Sequence, residues 1–189
     1  MERELEEYDY YLIIDLEATC CDQNSFPRHE METIEIGAVM VEAENLNVVD
    51  EFECFIKPVR NKQLTNLCTE LTSITQSQVD MAEEYPQAVK VFQKWLYQYS
   101  GYIFCSWGDY DRKQLIQDSQ YHRIGYPIDA EHINIKKLFS SSQGLKKKFG
   151  MARALNKAGL ELIGTHHRGI DDARNMARLM PYITGRKKL

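Results

Sequence analysis

Acidic side chains occur in three short segments whose spacing suits metal chemistry. In the first segment, Asp15 and Glu17 directly follow an apolar run over residues 10–14, which is typical of a strand buried on both faces. Because side chains alternate along a strand, the two carboxylates point to the same side and lie near each other. Such a pair at the end of a buried strand is unfavourable unless a cation neutralises it. The alternative is that the strand has ended and both carboxylates lie in water.

The other two segments each contain a pair of aspartates. Asp109 and Asp111 follow a predicted strand over residues 102–107, and Asp171 and Asp172 open the last predicted helix. On a helical wheel Asp171 points away from the apolar face, whereas Asp172 lies at its edge and can face a cleft. The wheel does not separate Asp109 from Asp111. Acidic residues in a first helical turn also interact favourably with the helix dipole alone, so both pairs have a purely structural alternative.

Two histidines, His166 and His167, precede the last acidic pair. Histidine titrates near neutral pH, so one beside a metal cluster is suited to act as a general base that activates water. A loop histidine without a chemical role is the alternative. Since the acidic set offers only carboxylate oxygens, it favours a hard cation such as Mg²⁺ or Mn²⁺ over zinc.

Length and composition indicate one ordinary globular domain. The chain has 189 residues, of which 43% are hydrophobic and 27% charged. No apolar run approaches the ~20 residues that span a bilayer, and the acidic opening is unlike a signal peptide. The five cysteines form no C-x-x-C pair, which fits neither a disulfide framework nor a zinc site. We therefore expect a cytoplasmic protein with no membrane association.

Charge is distributed unevenly along the chain. The net charge is −5, but residues 144–189 carry eleven Lys or Arg against three Asp or Glu. This pattern suits a protein whose carboxylates hold metal while its cations hold phosphate. A solvated basic face is the alternative interpretation.

Hydrophobic periodicity predicts an α/β sandwich with a mixed sheet. Strand patterns over residues 34–41 and 49–56 suggest an antiparallel meander with the first strand. Helical spacing then begins near residue 88, the strand over 102–107 follows, and a helix is marked by Leu115 and Ile116. Two further helices are predicted over residues 145–158 and 170–180. Strands followed by helices with strands between them are typical of this architecture.

The motifs resemble those of the DEDDh 3'-5' exonucleases. Three segments carry the resemblance in order: Asp15–Cys20, Trp107–Asp111 and His167–Asp172. Residues 63–79 are similar to the Eri-type branch, which includes the histone-mRNA 3' exonuclease and bacterial KapD-like proteins. The resemblance covers about residues 9–183 and implies an RNase H-like fold, with a five-stranded mixed sheet flanked by helices.

The resemblance also implies a catalytic set. Two divalent ions, Mg²⁺ or Mn²⁺, would be held by Asp15, Glu17, Asp111 and Asp172. His167, five residues before Asp172, would be the general base rather than His166. One ion with His167 would generate the attacking hydroxide, while the other would stabilise the leaving 3' oxygen. The choice of Asp111 over Asp109 follows from the resemblance alone.

Substrate contacts follow from the same resemblance. It places the terminal nucleotide against Ala18, Thr19, Leu71 and Thr72. It also places Leu67 and Tyr110 where the histone-mRNA enzyme presents aromatic residues to the terminal base. Tyr110 can stack on a base, whereas Leu67 offers only an apolar contact, so we expect modest, sequence-tolerant binding. A core aromatic is the alternative for Tyr110.

Basic residues near the C-terminus are candidates for contacts with the nucleic-acid backbone. They form two groups, Lys146–Lys148 and Arg186–Lys188. If either group binds phosphates, affinity should depend strongly on salt concentration. The accessory nucleic-acid-binding domain of the animal histone-mRNA enzyme has no counterpart in the sequence, so stem-loop recognition of that kind is not expected.

The sequence thus predicts a metal-dependent 3'-5' exonuclease acting on single-stranded 3' ends. RNA is favoured over DNA because the branch it most resembles acts on RNA. The alternatives are a DNA-trimming or proofreading exonuclease of the same fold and a catalytically silent nucleic-acid-binding module. We expect an acidic leader over residues 1–8, an exonuclease domain over 9–183 and a basic tail over 184–189, in a monomeric protein.

Overall fold

The computed structural model describes residues 5, 7–22 and 25–189 of the chain. Its centre is a five-stranded sheet in the order β3-β2-β1-β4-β5. The first three strands pair antiparallel, while β4 and β5 run parallel to β1, so the sheet is mixed as predicted. The strands are β1 (Tyr10–Ala18), β2 (Thr33–Glu42), β3 (Val48–Phe55), β4 (Tyr102–Ser106) and β5 (His132–Asn134).

Seven α-helices and one short 3-10 helix, Arg28–Glu30, accompany the sheet in the described residues. The helices are α1 (Asn66–Thr72), α2 (Gln76–Asp80), α3 (Tyr85–Leu96), α4 (Tyr110–Tyr121), α5 (Ile135–Ser142), α6 (Met151–Lys157) and α7 (Gly169–Ile183). None of them is both long enough and apolar enough to cross a membrane, within the part of the chain that the structure describes.

The central strand β1 divides the core into two layers. Tyr11 and Ile13 point to one face and pack with α5, α6 and α7. Leu12, Ile14 and Leu16 point to the other face and pack mainly with α3, α4 and β2. Because the side chains alternate, the residues after Ile13 on the first face are those at positions 15 and 17, which face the layer that contains α7.

The prediction of a helix over residues 145–158 was wrong in its first half. The segment 143–150 is irregular, and α6 begins only at Met151. Leu145 is partly buried against the core, so its apolar side chain reflects packing of a loop rather than a helical turn. The three consecutive lysines that follow are exposed, and this segment connects α5 to α6.

The helix α7 approaches β2 at two glycines, Gly37 and Gly169. A Cβ atom at Gly37 would overlap the backbone carbonyl carbon of Gly169 and the backbone nitrogen of Ile170. Gly37 is paired with Asp15 across the β1–β2 ladder. The absence of a side chain at this position therefore lets the start of α7 reach the acidic end of β1.

Replacing Gly37 by Ala should lower the free energy of unfolding by roughly 2–3 kcal/mol. The added Cβ would overlap the backbone at the start of α7, and only a movement of that helix relieves the overlap. Urea denaturation measures the change. Gly125→Ala is the matched control, since a Cβ there meets nothing within 4 Å, and its effect should stay within about 0.5 kcal/mol. Equal stability of Gly37→Ala and the unchanged protein would contradict this account of the helix contact.

Candidate active site

The carboxylates of Asp15 and Glu17 lie together on one face of β1. Glu17 is buried and Asp15 is half-buried. One oxygen from each and one from Asp172 all lie within 4.8 Å of one another. The alternation of side chains along β1 thus brings the two carboxylates together as predicted, and the strand continues through both of them to Ala18.

Asp111 joins this cluster from the first turn of α4. Its side chain is 5% exposed and accepts a hydrogen bond from the backbone N–H of Leu16, at 3.1 Å. This contact fixes the start of α4 against the end of β1. Asp109, in contrast, is exposed at the N-cap of α4, where it accepts a hydrogen bond from Asn134 at 3.0 Å. The structure therefore separates the two aspartates that the helical wheel left unresolved.

Asp172 reaches the cluster from the first turn of α7, again with only 5% of its surface exposed. It accepts a hydrogen bond from the backbone N–H of His167 at 3.1 Å and lies 2.9 Å from Nδ1 of His166. Asp171 points away and accepts hydrogen bonds from the backbone N–H of Thr165 and from Arg174. This division agrees with the helical wheel.

The two histidines stack on each other beside Asp172. Their ring centroids are 4.0 Å apart with an interplanar angle of 18°. His167 has a left-handed backbone, with φ of 64°, which is uncommon for a residue other than glycine. Burial and the neighbouring charge of His166 lower the pKa of the His167 imidazole, with Asp172 opposing. A lowered pKa keeps this ring neutral, and thus able to accept a proton, at physiological pH.

Burial and mutual repulsion raise pKa values within the acidic cluster. Burial and then the charges of Asp111, Glu17 and Asp172 hold the pKa of Asp15 well above its usual range. Burial and the charge of Asp172 raise the pKa of Glu17 to about 8. Burial also raises the pKa of Asp111, to about 6. Among the described residues, no Lys or Arg pairs with the four cluster carboxylates at salt-bridge distance.

A family model described as "Exonuclease" (RNase_T) matches residues 12–180, nearly the whole of this fold. The chain belongs to this exonuclease family. The solved nuclease domain of 3'hExo, described as a DEDDh family member bound to rAMP, is 34% identical with a TM-score of 0.82. That comparison covers 93% of this chain and 91% of the solved one. Membership of the DEDDh group, of the Eri type, and the RNase H-like fold are thereby confirmed.

Curated relatives of the Eri type support the same branch. The human protein "3'-5' exoribonuclease 1" is 36% identical over 182 residues, which cover 91% of this chain and 51% of the human protein. The mouse protein "ERI1 exoribonuclease 3" is 32% identical over 182 residues, covering 92% of this chain and 53% of the mouse protein. The chain thus spans about half the length of the curated relatives it matches.

The family's dependence on divalent metal fits the donor set of the cluster. Carboxylate oxygens are the ligands that hard divalent cations prefer. A bound cation would also offset the repulsion that raises the pKa of Asp15 and Glu17. The clustered carboxylates of Asp15, Glu17 and Asp172, with Asp111 beside them, therefore form a candidate metal centre.

Sequence reasoning missed the buried residue Glu35, which faces Glu17 across the β1–β2 ladder. Glu35 accepts hydrogen bonds from Arg168 at 3.2 Å and from the backbone N–H of Gly169 at 3.0 Å. It therefore anchors the start of α7, which carries Asp172. The available signal was a lone charged residue inside an otherwise apolar strand pattern, since a buried charge requires a partner.

The predicted nucleotide contacts divide into exposed and buried positions. Leu67 and Leu71 lie four residues apart on α1, and their side chains are 37% and 42% exposed. Ala18, Thr19 and Thr72 are buried. The hydroxyl of Thr19 accepts a hydrogen bond from the backbone N–H of Glu32, and that of Thr72 donates to the carbonyl of Cys68. The apolar surface of α1 therefore comes from the two leucines.

Tyr110 is partly buried next to Asp111, and the guanidinium of Arg28 lies 5.3 Å from its ring centroid. Arg28 belongs to the short 3-10 helix. The guanidinium of Arg60 donates hydrogen bonds to the carbonyl of His29 in this helix and to that of Met31, which follows it. Arg60 in turn stacks on Tyr121 of α4. The guanidinium of Arg28 thus lies over the ring that is predicted to stack on a base.

The two basic groups lie in different places. Lys146 is exposed in the loop before α6. Arg186 donates to the backbone carbonyls of Ala43 and Glu44, beyond the end of β2, and Ala43 in turn bonds Asp9 at the start of β1. The start of β1 is roughly 17 Å from Asp15 at about 3.3 Å per residue. The tail residue Arg186 is therefore docked at the end of the sheet opposite the acidic cluster.

Replacing Glu17 by Gln should stabilise the metal-free protein at alkaline pH. A pKa raised to about 8 means that the fold favours the protonated carboxyl, so stability is lost as pH rises from about 4.5 to about 8. Differential scanning calorimetry in EDTA at pH 8.5 should show Tm higher by at least ~2–4 °C, equivalent to about 1 kcal/mol. Glu70→Gln, at an exposed position on α1, is the control. An unchanged or lower Tm for Glu17→Gln would contradict the raised pKa of Glu17.

Proposed function

We propose that this chain is a divalent-metal-dependent 3'-5' exonuclease that removes nucleotides from single-stranded 3' ends, with RNA favoured over DNA. The observation that carries the proposal is the convergence of four carboxylates from three separate segments beside a histidine. These carboxylates belong to Asp15, Glu17, Asp111 and Asp172. Family membership and the Eri-type relatives named as exoribonucleases support the same reaction.

Asp15, Glu17, Asp111 and Asp172 would hold two ions, Mg²⁺ or Mn²⁺. When bound, such ions polarise the phosphodiester and lower the pKa of a coordinated water. The protein contributes a rigid donor set, because β1, α4 and α7 each fix one part of it through backbone hydrogen bonds or strand pairing.

His167 would act as the general base. Its imidazole is half-buried beside Asp172, and its lowered pKa keeps a ring nitrogen free to take a proton from the attacking water. The backbone N–H of His167 holds the Asp172 carboxylate at the same time. The position of the ring is therefore coupled to that of a metal ligand.

The terminal nucleotide would lie between α1 and the start of α4. Leu67 and Leu71 offer an exposed apolar surface on one side, and Tyr110 offers an aromatic ring on the other. Ala18, Thr19 and Thr72 are buried and are proposed to form the floor of this site. Lys146, exposed in the loop before α6, is proposed to contact the strand upstream of the terminus.

Replacing Tyr110 by Ala should weaken RNA binding by about 5- to 150-fold, equivalent to ~1–3 kcal/mol for one base stacked on an aromatic ring. Fluorescence anisotropy of a labelled single-stranded RNA measures the Kd, with Asp15→Asn in the same chain to prevent cutting. Tyr110→Phe keeps the ring and should bind nearly normally. Tyr97→Ala, at a position 81% exposed beyond α3, is the surface control. Unchanged binding by Tyr110→Ala would make this ring a packing residue only.

Matched RNA and DNA strands test the proposed activity and its substrate class. Each strand is incubated with the protein in Mg²⁺, in Mn²⁺ and in EDTA, and the rate of shortening is measured on a sequencing gel. We expect metal-dependent shortening of both or of RNA alone, with RNA the faster. Faster shortening of DNA would favour the DNA-trimming alternative. Binding of RNA without shortening of either strand would favour the silent binding module.

A cytoplasmic location, a monomeric state and the division into leader, domain and tail stay predictions of the sequence. The leader over residues 1–8 lies mostly outside the described residues. For the tail, gel filtration of the whole chain and of a form ending at residue 183 would test whether residues 184–189 contribute to folding, as the docking of Arg186 suggests.

A further inference from the structure

A pair of histidines lies beside the acidic cluster, and only one of them has a part in the proposed reaction. His166 is exposed, and its Nδ1 atom lies 2.9 Å from one oxygen of Asp172 and 3.1 Å from the other. Its ring is stacked on that of His167. One ligand atom from each of His166, His167 and Asp172 lies within 4.8 Å of the others.

This arrangement differs in chemistry from the carboxylate cluster. Two imidazole nitrogens and one carboxylate oxygen suit zinc and similar transition metals, whereas Mg²⁺ prefers oxygen ligands alone. Zinc bonds of ~2.0–2.1 Å in a tetrahedron place neighbouring donor atoms about 3.3 Å apart. The separation of His166 and Asp172 is already close to this value. The stacked rings keep the second imidazole close, with one of its nitrogens within 4.8 Å of the other two ligand atoms.

The backbone around the two histidines is preformed. Asp171 accepts a hydrogen bond from the backbone N–H of Thr165 at 2.8 Å, and the backbone N–H of Arg168 donates to the carbonyl of Thr165 at 3.2 Å. His167 occupies the left-handed position of this turn. The loop is thus closed on the start of α7 by its own hydrogen bonds, so little ordering is needed to present both rings.

We propose that His166, His167 and Asp172 form a zinc site that inhibits the nuclease. The site shares Asp172 and His167 with the proposed active centre, so zinc would withdraw one carboxylate and the general base together. Three protein ligands leave at least one position for water or a phosphate oxygen. The inhibition rests on the proposed function, whereas zinc binding itself does not.

Direct binding measurements test the site without reference to activity. Zn²⁺ is titrated calorimetrically into the whole protein in excess Mg²⁺, and the visible absorption of Co²⁺ serves as a second probe of nitrogen coordination. We expect His166→Gln to weaken Zn²⁺ binding by at least ~10-fold and to lose the Co²⁺ spectrum of the unchanged protein. His29→Gln, at a histidine outside the site with 78% of its side chain exposed, should match the unchanged protein. Equal Zn²⁺ affinity in His166→Gln overturns the proposal.

Inhibition is then measured on a single-stranded RNA at fixed Mg²⁺, with each variant compared with its own rate in the absence of zinc. The zinc concentration for half-inhibition should rise at least ~10-fold in His166→Gln and stay the same in His29→Gln. Equal zinc sensitivity of the two variants overturns the inhibitory role. A protein that shows no activity in Mg²⁺ or Mn²⁺ would fail the proposed function, while the calorimetric result would still decide whether the zinc site exists. Thermal melts of both variants check that the fold is kept.

Discussion

Replacing Asp15 by Asn is expected to reduce the rate of RNA shortening on the order of 10³-fold or more. Asp15 lies at the centre of the acidic cluster, where the charges of Asp111, Glu17 and Asp172 all act on it. An amide keeps the shape of the side chain but removes the negative charge that a divalent ion requires. Metal catalysis contributes several kcal/mol of transition-state stabilisation, and about 4 kcal/mol corresponds to a factor of 10³.

Single-turnover rates on a labelled RNA measure this effect, since they exclude product release. Asp109→Asn is the matched control because Asp109 lies two residues from Asp111 yet is exposed and bonded to Asn134 outside the cluster. The control should keep its rate within about threefold, an effect below ~1 kcal/mol. Full activity of Asp15→Asn would show that this carboxylate is not a metal ligand, and calorimetry with Mn²⁺ would then show whether metal binds elsewhere.

Replacing His167 by Ala is expected to lower the turnover number by about 10²- to 10⁴-fold, the usual contribution of a general base. Binding of Mn²⁺ should remain, because the four carboxylates are unchanged. Removal of the imidazole should also abolish the rise in rate with pH that reflects deprotonation of the base. The pKa of His167 is lowered from its ordinary value, so in the unchanged protein this rise is expected below about pH 6.5.

Two controls separate catalysis from structure at this position. His29→Ala removes an exposed histidine from the 3-10 helix and should leave both the rate and the pH profile unchanged. His167→Asn is compatible with the left-handed backbone, which asparagine and histidine tolerate better than most residues. If His167→Asn lost activity as His167→Ala does, with an unaltered Tm, the imidazole itself would be required. Retained activity in both variants would exclude His167 as the base.

The placement of the acidic residues on β1 and α7 was largely predictable. The apolar pattern of β1 places Asp15 and Glu17 on one side because the period of a strand is two. The apolar stripe of α7 likewise orients Asp172 inward, since its neighbours Ile170 and Ala173 pack in the core. Both inferences depend only on local periodicity, because the apolar pattern of an element indicates which of its faces is buried in the fold.

Elements with weak hydrophobic periodicity could not be predicted from the sequence. The strand β5 has three residues, His132–Asn134, two of them polar, which is too short for an alternating pattern. The start of helix α2 is marked by a capping box rather than by apolar spacing. In this box the side chain of Thr75 accepts a hydrogen bond from the backbone N–H of Gln78, and the side chain of Gln78 accepts one from the backbone N–H of Thr75. The choice between Asp109 and Asp111 depends on the hydrogen bond from Leu16, a tertiary contact that no local pattern encodes.

The basic tail has contacts in the structure that its charge pattern does not predict. Three basic residues at positions 186–188 suggest contact with a polyanion. In the structure the guanidinium of Arg186 binds the carbonyls of Ala43 and Glu44, and the ammonium of Lys188 binds the carbonyl of Ser142. These cations thus satisfy backbone acceptors at the end of the sheet remote from Asp15.

The position of the label on a single-stranded RNA gives the most direct test of metal-dependent 3'-5' exonuclease activity. With a 5' label, Mg²⁺ or Mn²⁺ should yield a ladder that shortens stepwise from the 3' end, and a 3' label should appear at once as a mononucleotide. EDTA or Asp15→Asn should abolish both signals. Internal fragments, early loss of the 5' label as a mononucleotide, or shortening that persists in EDTA and in Asp15→Asn would contradict the account.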